Sequence, residues 1–271
     1  MPGSADFSWL KANTDNEESR KWVEMIQEWH EKAFEGEFID SEELFSIDLD
    51  GRTIWLRKAS AYSSVDILTE IMKDNDHFKA EGFSGEGADV IVDLGANEGY
   101  YLLKVKENNP EAKIVAAEPN PLAYEILEKN VESNKISNVK LVDKAVGPEK
   151  DTQEFEFVTQ STAVGAKNLD TVDRDWVDKE MVNQVKVETV TLEQLLEEEG
   201  IEKIDILKLD VEGMEYDILK ESEDLLDRVE KIVVECHSES IQKKVKEILK
   251  GRFETVKEEN KSCGDLYLVK N

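Results

Sequence analysis

Acidic and small residues recur at three points where the sequence predicts the end of a strand. Asp93, Gly95 and Gly99 follow one short apolar run, and Glu118 stands 25 residues after Asp93, at the end of the next run. In a doubly wound sheet the ligand crevice lies beyond the carboxyl ends of the strands, where an acid at about this offset accepts hydrogen bonds from ribose hydroxyls. Asp93 suits a positive or amine-bearing group, and the two glycines let the backbone approach a ligand closely, or simply form a tight turn. A third strand carries a segment that could meet an adenine edge, Asp143-Lys144-Ala145.

Strands that bring these residues together must be parallel, and the chain after residue 82 has the pattern that builds such a sheet. Short apolar segments alternate with amphipathic helices, which favours right-handed crossovers and a sheet covered on both faces. The final two segments have no room for a helix between them, so they form an antiparallel pair. We therefore predict an α/β fold with a mostly parallel sheet and one antiparallel strand. The predicted strands cover 89–94, 113–117, 138–146, 204–209, 231–235, 252–257 and 266–269.

The first 82 residues have a different pattern. Apolar residues at helical spacing predict a helix over 17–35, and Asp50-Gly51 between two alternating segments predicts a hairpin. A second helix is expected over 64–72. We predict an N-terminal helix-hairpin-helix extension over 1–82, which either covers a crevice or forms a dimer contact, and a main domain over 83–271.

An insert interrupts the strand-helix alternation between Gly147 and Thr191. Its segments 153–158 and 185–190 have an extended pattern, and the polar, glycine-containing segment 159–168 joins them. That segment is either a mobile loop over the site or a surface connection.

Composition excludes several classes of protein. The chain has 271 residues, 39% of them apolar, so it can form a core, yet no apolar run approaches the ~20 residues of a membrane span. A net charge of −28 without a basic cluster disfavours nucleic acid and anionic membranes as partners. The acidity fits a salty cytoplasm, heat adaptation or a merely solvated surface.

Because there is no secretory signal and only two cysteines, Cys236 and Cys263, we expect reduced thiols and a cytoplasmic location.

Five segments of the chain, taken in order, resemble the FkbM-type S-adenosylmethionine-dependent methyltransferases. The resemblance runs from about Val65 to Val269 and leaves the first 60 residues outside the common core. The segments are Val92-Asp93-Leu94-Gly95-Ala96-Asn97-Glu98-Gly99-Tyr100, Ala117-Glu118-Pro119-Asn120-Pro121, Thr189-Val190-Thr191-Leu192, Leu207-Lys208-Leu209-Asp210-Val211-Glu212-Gly213-Met214-Glu215 and Val234-Glu235-Cys236-His237.

The resemblance implies a Rossmann-like fold of seven strands, with the last but one strand in sequence at the sheet edge. It also implies that S-adenosylmethionine is bound and S-adenosylhomocysteine is released. Asp93, Gly95 and Asn97 would hold the methionine part of this cofactor, and Glu118 the ribose. Residues that would border the adenine or complete the binding loops are Ala96, Gly99, Tyr100, Pro119, Asn120, Asp143, Lys144 and Ala145.

The ends of two later strands carry groups suited to proton transfer. The family commonly methylates a hydroxyl on a sugar, polyketide or other small acceptor, and that hydroxyl must lose its proton. His237 is the natural base by its ordinary pKa, with Asp210 or Glu212 as alternatives if their pKa is raised. Lys208 could keep a carboxylate ionised or bind the developing oxyanion. The candidate catalytic residues are thus His237, Asp210, Glu212, Lys208 and Glu235.

Other readings of these residues stay open. His237 could merely pack at a strand end, and Asp210 and Glu212 could cap a helix. Four of the candidates offer ligands for Mg²⁺ or Mn²⁺, but carboxylates are so abundant that no metal is predicted. At the level of function, we expect a small-molecule or glycan acceptor and leave oligomeric state open, with a homodimer as one option. The alternatives are an RNA methyltransferase on the same fold, or a non-catalytic interaction protein that keeps the cofactor-binding fold.

Overall fold

The computed structural model describes residues 5–166, 182–259 and 264–271. Cys263 and positions 167–168 of the predicted insert loop lie outside these residues. The elements in chain order are α1 (Phe7–Asn13), α2 (Glu17–Phe34), β1 (Leu44–Leu49), β2 (Arg52–Arg57), α3 (Ala61–Met72), β3 (Val90–Leu94), α4 (Tyr100–Asn108), β4 (Lys113–Ala117), α5 (Pro121–Ser133), β5 (Val139–Val142), β6 (Ala145–Val146), β7 (Asp151–Val158), β8 (Ser161–Ala166), β9 (Val182–Val190), α6 (Leu192–Glu198), β10 (Ile204–Leu209), α7 (Glu215–Glu221), a 3-10 helix (Glu223–Arg228), β11 (Val229–Cys236), α8 (Glu239–Leu249), β12 (Phe253–Glu258) and β13 (Gly264–Lys270).

A seven-stranded sheet with the order β12-β13-β11-β10-β3-β4-β5 forms the centre of the fold. The pairs β3–β4, β4–β5, β3–β10 and β10–β11 are parallel, whereas β13 runs antiparallel to both of its neighbours. This confirms the predicted α/β class with one antiparallel strand, and β12, the last but one strand in sequence, lies at the edge.

Apolar side chains cover both faces of this sheet. On one face the core includes residues of α6, α7 and α8, such as Leu195, Ile218 and Val245. On the other face Leu102 of α4 and Leu127 of α5 pack with Phe83. Burial on both faces explains why these strands appear in the sequence as continuous apolar runs.

The N-terminal segment has the predicted helix-hairpin-helix order. The side chain of Asn16 begins α2 by accepting a hydrogen bond from the Ser19 amide at 2.8 Å. Positive φ angles of 50° and 74° at Asp50 and Gly51 turn the hairpin. The apolar core of the N-terminal segment also includes Tyr100 and Leu103 of α4. The domain boundary at residue 82 stays a prediction.

The insert forms a second sheet of four strands, ordered β6-β9-β7-β8. The predicted single strand over 138–146 is therefore wrong in one respect: it breaks at Asp143-Lys144, and β6 pairs with β9 instead of continuing in the main sheet. Part of the segment expected to be a loop is strand β8, which pairs with β7.

Within the described ranges, none of the helices is both long and apolar enough to cross a bilayer.

Candidate active site

A cleft of about 340 Å³ opens at the carboxyl ends of β3, β4, β10 and β11. Residues from both predicted groups line it: Gly95, Asn97 and Glu118 on one side, and Asp210 and His237 on the other. The N-terminal segment and the second sheet also line it, with Ile67, Glu70, Ile71, Asp76, His77, Gln153, Phe155, Thr162 and Gly165.

Glu118 is positioned by the two loops that it joins. Its Oε2 atom accepts the Asn97 amide at 2.8 Å, and its Oε1 atom accepts the Asn120 amide at 2.7 Å. Burial raises the pKa of Glu118 to about 7, although these two hydrogen bonds favour the ionised form and oppose that effect. Each carboxylate oxygen has a second lone pair, so Glu118 can still accept hydrogen bonds from a ligand.

Gly95 is required by the close approach of the chain after β10. Its φ is 82°, and a Cβ atom there would lie 1.7 Å from the carbonyl oxygen of Asp210. Gly99, at φ 88°, begins α4, and a Cβ atom there would lie 2.5 Å from Leu127. Close packing of protein on protein is therefore enough to require both glycines, and their approach to a ligand stays a prediction.

Asp93 and Lys208 form a buried pair beneath the cleft. Their closest atoms are 3.2 Å apart, and Lys208 also donates to the Gly95 carbonyl at 3.1 Å. Neither side chain lines the cleft. Burial alone would lower the pKa of Lys208, but the charges of Asp93 and Asp210 outweigh it and raise that pKa. Lys208 thus holds the loop after β3 against β10.

Other predicted cofactor residues are divided between the cleft and its surroundings. Asn120 lines the cleft and begins α5, where its side chain accepts the Leu122 amide at 3.0 Å. Tyr100 points away, into the core of the N-terminal segment. Asp143 is exposed and lines a neighbouring depression that shares Glu118, Pro119 and Lys144 with the cleft. Pro119, Lys144 and Ala145 line the cleft, whereas Ala96 and Gly99 do not.

His237 lies at the end of the cleft opposite Glu118, where Glu215 holds its imidazole ring. Its Nδ1 atom is 2.7 Å from Oε1 of Glu215, a fully buried carboxylate that also accepts the Gly213 amide at 3.0 Å. Its Nε2 atom lies 3.4 Å from Glu212 and 3.7 Å from Asp210. With Glu215 accepting from Nδ1–H, the other ring nitrogen is the one turned towards the carboxylates of the cleft.

The carboxylates around His237 change its titration. Burial would lower the pKa of His237, but the hydrogen bond to Glu215 and the charges of Glu212 and Asp210 raise it well above its usual value. The expectation that His237 would act at its ordinary pKa is therefore wrong. The N-cap residue of α7 is Met214, which makes no side-chain cap, so neither Asp210 nor Glu212 occupies the N-cap position. The nearby charge of Asp210, together with burial, raises the pKa of Glu235 to about 7.

Glu98 is a buried acid that sequence reasoning missed. Its carboxylate accepts hydrogen bonds from Ser64 at 2.8 Å, Thr162 at 2.7 Å and Tyr100 at 2.5 Å. These partners come from the N-terminal segment, the second sheet and α4. Its position between Asn97 and Gly99 in the glycine loop was the available signal.

His77 was also missed, because it lies in the N-terminal segment. It lines the cleft, and its Nδ1 atom is 2.9 Å from Asp265. The chain has only three histidines, and this rarity was the signal that could have singled it out.

The strand order, with its single antiparallel strand and the acid-bearing loops at the strand ends, defines a Rossmann-like methyltransferase fold. The profile described as "Methyltransferase FkbM domain" matches residues 93–265. The chain belongs to this family.

Individual relatives match more weakly. A 44-residue segment is 48% identical to "Methyltransferase sdnD" of Sordaria araneosa, which is 16% of this chain and 17% of that protein. The crystal structure of methyltransferase FkbM from Methylobacillus flagellatus KT is 12% identical with a TM-score of 0.46, covering 97% of this chain and 57% of that one. P. horikoshii TYW2, in complex with MeSAdo, is 13% identical with a TM-score of 0.43, covering 86% of this chain and 74% of that one.

Proposed function

We propose that this protein is an S-adenosylmethionine-dependent methyltransferase that acts on a hydroxyl of a sugar, glycan or other small acceptor. One observation carries the proposal. A single cleft is lined at one side by Asn97 and Glu118, the expected cofactor residues, and at the other by Asp210 and His237, the expected acid-base residues. Membership of the FkbM family supports the reaction class.

The cofactor side has groups of the right chemistry. Glu118 can accept hydrogen bonds from ribose hydroxyls, as its place at the end of β4 predicts. The buried Oδ1 atom of Asn97 has no hydrogen-bond partner among the described residues and belongs to a side chain that lines the cleft. It can accept from the amino group of a bound amino acid moiety. When bound, S-adenosylmethionine supplies an electrophilic methyl group on a sulfonium centre.

On the acceptor side, His237 is the proposed base. Glu215 fixes the ring, and Nε2 faces Asp210 and Glu212, whose charges stabilise the imidazolium that forms when the acceptor proton is taken. A raised pKa makes His237 a stronger base but lowers the fraction of neutral imidazole at neutral pH. Its task is to remove the hydroxyl proton as the oxygen approaches the methyl group in line.

The charge of the cleft favours a small acceptor over RNA. Among the described residues, eight carboxylates line it, with one lysine and two histidines. Phosphate groups would be repelled by this lining, and nucleic-acid enzymes normally present a basic face.

The acceptor class can be tested with deuterated-methyl S-adenosylmethionine. The protein is incubated with the metabolite, RNA and protein fractions of the source cells, and mass spectrometry locates the label. We expect O-linked label on hydroxylated small molecules. Label found in RNA or protein alone would contradict the proposed acceptor.

The base role has its own test. His237→Ala should lower the rate of methyl transfer by at least about a hundredfold, the range typical of general bases. Binding of S-adenosylhomocysteine should be retained, which separates catalysis from cofactor binding. Unchanged turnover in a folded His237→Ala protein would remove His237 from this role.

A further inference from the structure

We propose that His77, Asp210 and Glu235 form a binding site for a divalent transition-metal ion at the acceptor end of the cleft. The three side chains come from distant parts of the chain. Asp210 follows β10, Glu235 is in β11, and His77 lies before the residues 93–265 that match the family. The family match therefore does not include the complete set of ligands.

The geometry brings three ligand atoms around one point. One nitrogen of His77 and one carboxylate oxygen each from Asp210 and Glu235 all lie within 4.8 Å of one another. Metal–ligand distances are about 2.0–2.2 Å, so three ligands spread evenly around one ion are about 3.5–3.8 Å apart. The widest separation in the cluster would therefore have to shorten by about 1 Å for all three side chains to bind one ion.

The orientation of His77 is the independent observation. Only 7% of this residue is exposed, and its Nδ1 atom is fixed 2.9 Å from Asp265. The Tyr267 hydroxyl in turn donates to the same oxygen of Asp265 at 3.0 Å. The Nε2 atom lies 4.0 Å from Glu235, beyond hydrogen-bond distance, and has no hydrogen bond to any described residue. A buried imidazole with one nitrogen held by a carboxylate and the other turned towards a second carboxylate of the cluster has the form of a metal ligand with its outer-shell support.

The surrounding charge suits a dication. The two carboxylate ligands supply two negative charges when both are ionised. The Lys208 ammonium lies 3.5 Å from Asp210 and is shared with the buried Asp93, 3.2 Å away. A mixed set of one imidazole and two carboxylates is typical of Mn²⁺ or a similar transition metal rather than of Mg²⁺, which prefers oxygen alone. Three protein ligands leave coordination positions for water or for oxygen atoms of a ligand.

The role of the ion rests on the proposed function. An acceptor oxygen on the metal would be positioned beside His237 and would lose its proton more readily. A vicinal diol, as on a sugar ring, could occupy two of the open positions. The binding site itself does not require that function and is tested without cofactor or acceptor.

The test is a calorimetric titration of the full chain with Mn²⁺ alone. We expect one saturable site per chain, which binds Mn²⁺ more tightly than Mg²⁺. His77→Ala and Glu235→Gln should each weaken binding by at least about tenfold. Glu235→Gln preserves shape, so it keeps the test valid if His77→Ala does not fold.

Glu259→Gln is the matched control, because Glu259 lines the same cleft and loses the same charge but is outside the cluster. It should leave Mn²⁺ affinity nearly unchanged. Absence of saturable binding, or equal weakening in all three variants, would overturn the proposal. A parallel titration with S-adenosylhomocysteine separates the two hypotheses, since its failure would count against the methyltransferase function while Mn²⁺ binding would still support the metal site.

Discussion

At the scale of single residues, Glu118 shows how burial and hydrogen bonding compete. The side chain is 7% exposed, and both of its oxygens accept backbone amides. Burial nevertheless prevails and raises its pKa to about 7, with Asp210 raising it further and Lys208 lowering it. The group is mostly neutral at pH 6 and mostly ionised at pH 8, so its capacity to accept hydrogen bonds changes across this range.

Cofactor affinity should follow this titration. If Glu118 accepts hydrogen bonds from ribose, the affinity for S-adenosylhomocysteine rises by about tenfold from pH 6 to pH 8, the ratio of ionised fractions around a pKa near 7. Calorimetric titrations at a series of pH values measure this rise.

Glu118→Gln is the control for that series, because it is neutral at every pH. Its affinity should be low and should vary less with pH than that of the wild type. A wild-type affinity that stays constant from pH 6 to pH 8 would show that Glu118 does not bind the ligand as a carboxylate.

Residue type and strand position predicted which residues lie near the carboxyl ends of the strands. They predicted less well which of these side chains line the cleft. Glu118, Asp210 and His237 meet because the carboxyl ends of parallel strands lie at one edge of the sheet. Asp93 is a residue of β3 itself and Tyr100 is the first residue of α4, and both side chains are buried away from the cleft. Side-chain direction at the end of a strand depends on the loop that follows, which the sequence pattern alone does not specify.

At the scale of elements, the hydrogen bonds of Glu98 join three parts of the fold. Ser64 belongs to α3, Thr162 to β8 and Tyr100 to α4. Removing the acceptor leaves the buried Tyr100 and Thr162 hydroxyls in need of other partners, while Ser64 keeps the Ser60 carbonyl at 3.1 Å. Glu98→Ala should therefore lower the free energy of unfolding by roughly 2–4 kcal/mol, as measured by urea denaturation.

An exposed glutamate on the surface of α5, Glu132, provides the comparison. Glu132→Ala should change stability by no more than about 0.5 kcal/mol. If Glu98→Ala proved as stable as this control, the three segments would be held together by other contacts.

The elements of the main sheet could be predicted from the sequence, whereas the pairing of strands in the second sheet could not. The bounds of β4 agree with the prediction because its apolar pattern is a local signal, and the proline at the start of α5 is a local signal of the same kind. The pairing of β6 with β9 joins segments more than 40 residues apart. Such a pairing depends on non-local contacts, and the polar strand β7 gives little indication of its partner.

At the scale of the whole molecule, the net charge of −28 is the dominant feature. Self-repulsion among surface carboxylates destabilises a compact chain, and salt screens it over a Debye length that falls from about 10 Å at 0.1 M to about 3 Å at 1 M. We therefore expect the unfolding temperature to rise between 0.1 M and 1 M potassium chloride.

Thermal unfolding monitored by circular dichroism measures this effect. Potassium chloride is the salt to use, because sulfate also stabilises proteins through exclusion from their surface. An unfolding temperature that falls or stays constant would show that self-repulsion contributes little, and would count against salt adaptation as the reason for the acidity.

The central claim is that the cleft at the strand ends binds S-adenosylmethionine and its product. Calorimetric titration of the full chain with S-adenosylhomocysteine tests this most directly, with Glu118→Ala as the site variant and Glu132→Ala as the matched surface control. We predict micromolar binding by the wild type and by the control, and loss of binding in Glu118→Ala. Folded wild-type protein that does not bind, or a Glu118→Ala variant that binds as well as the control, would contradict the account.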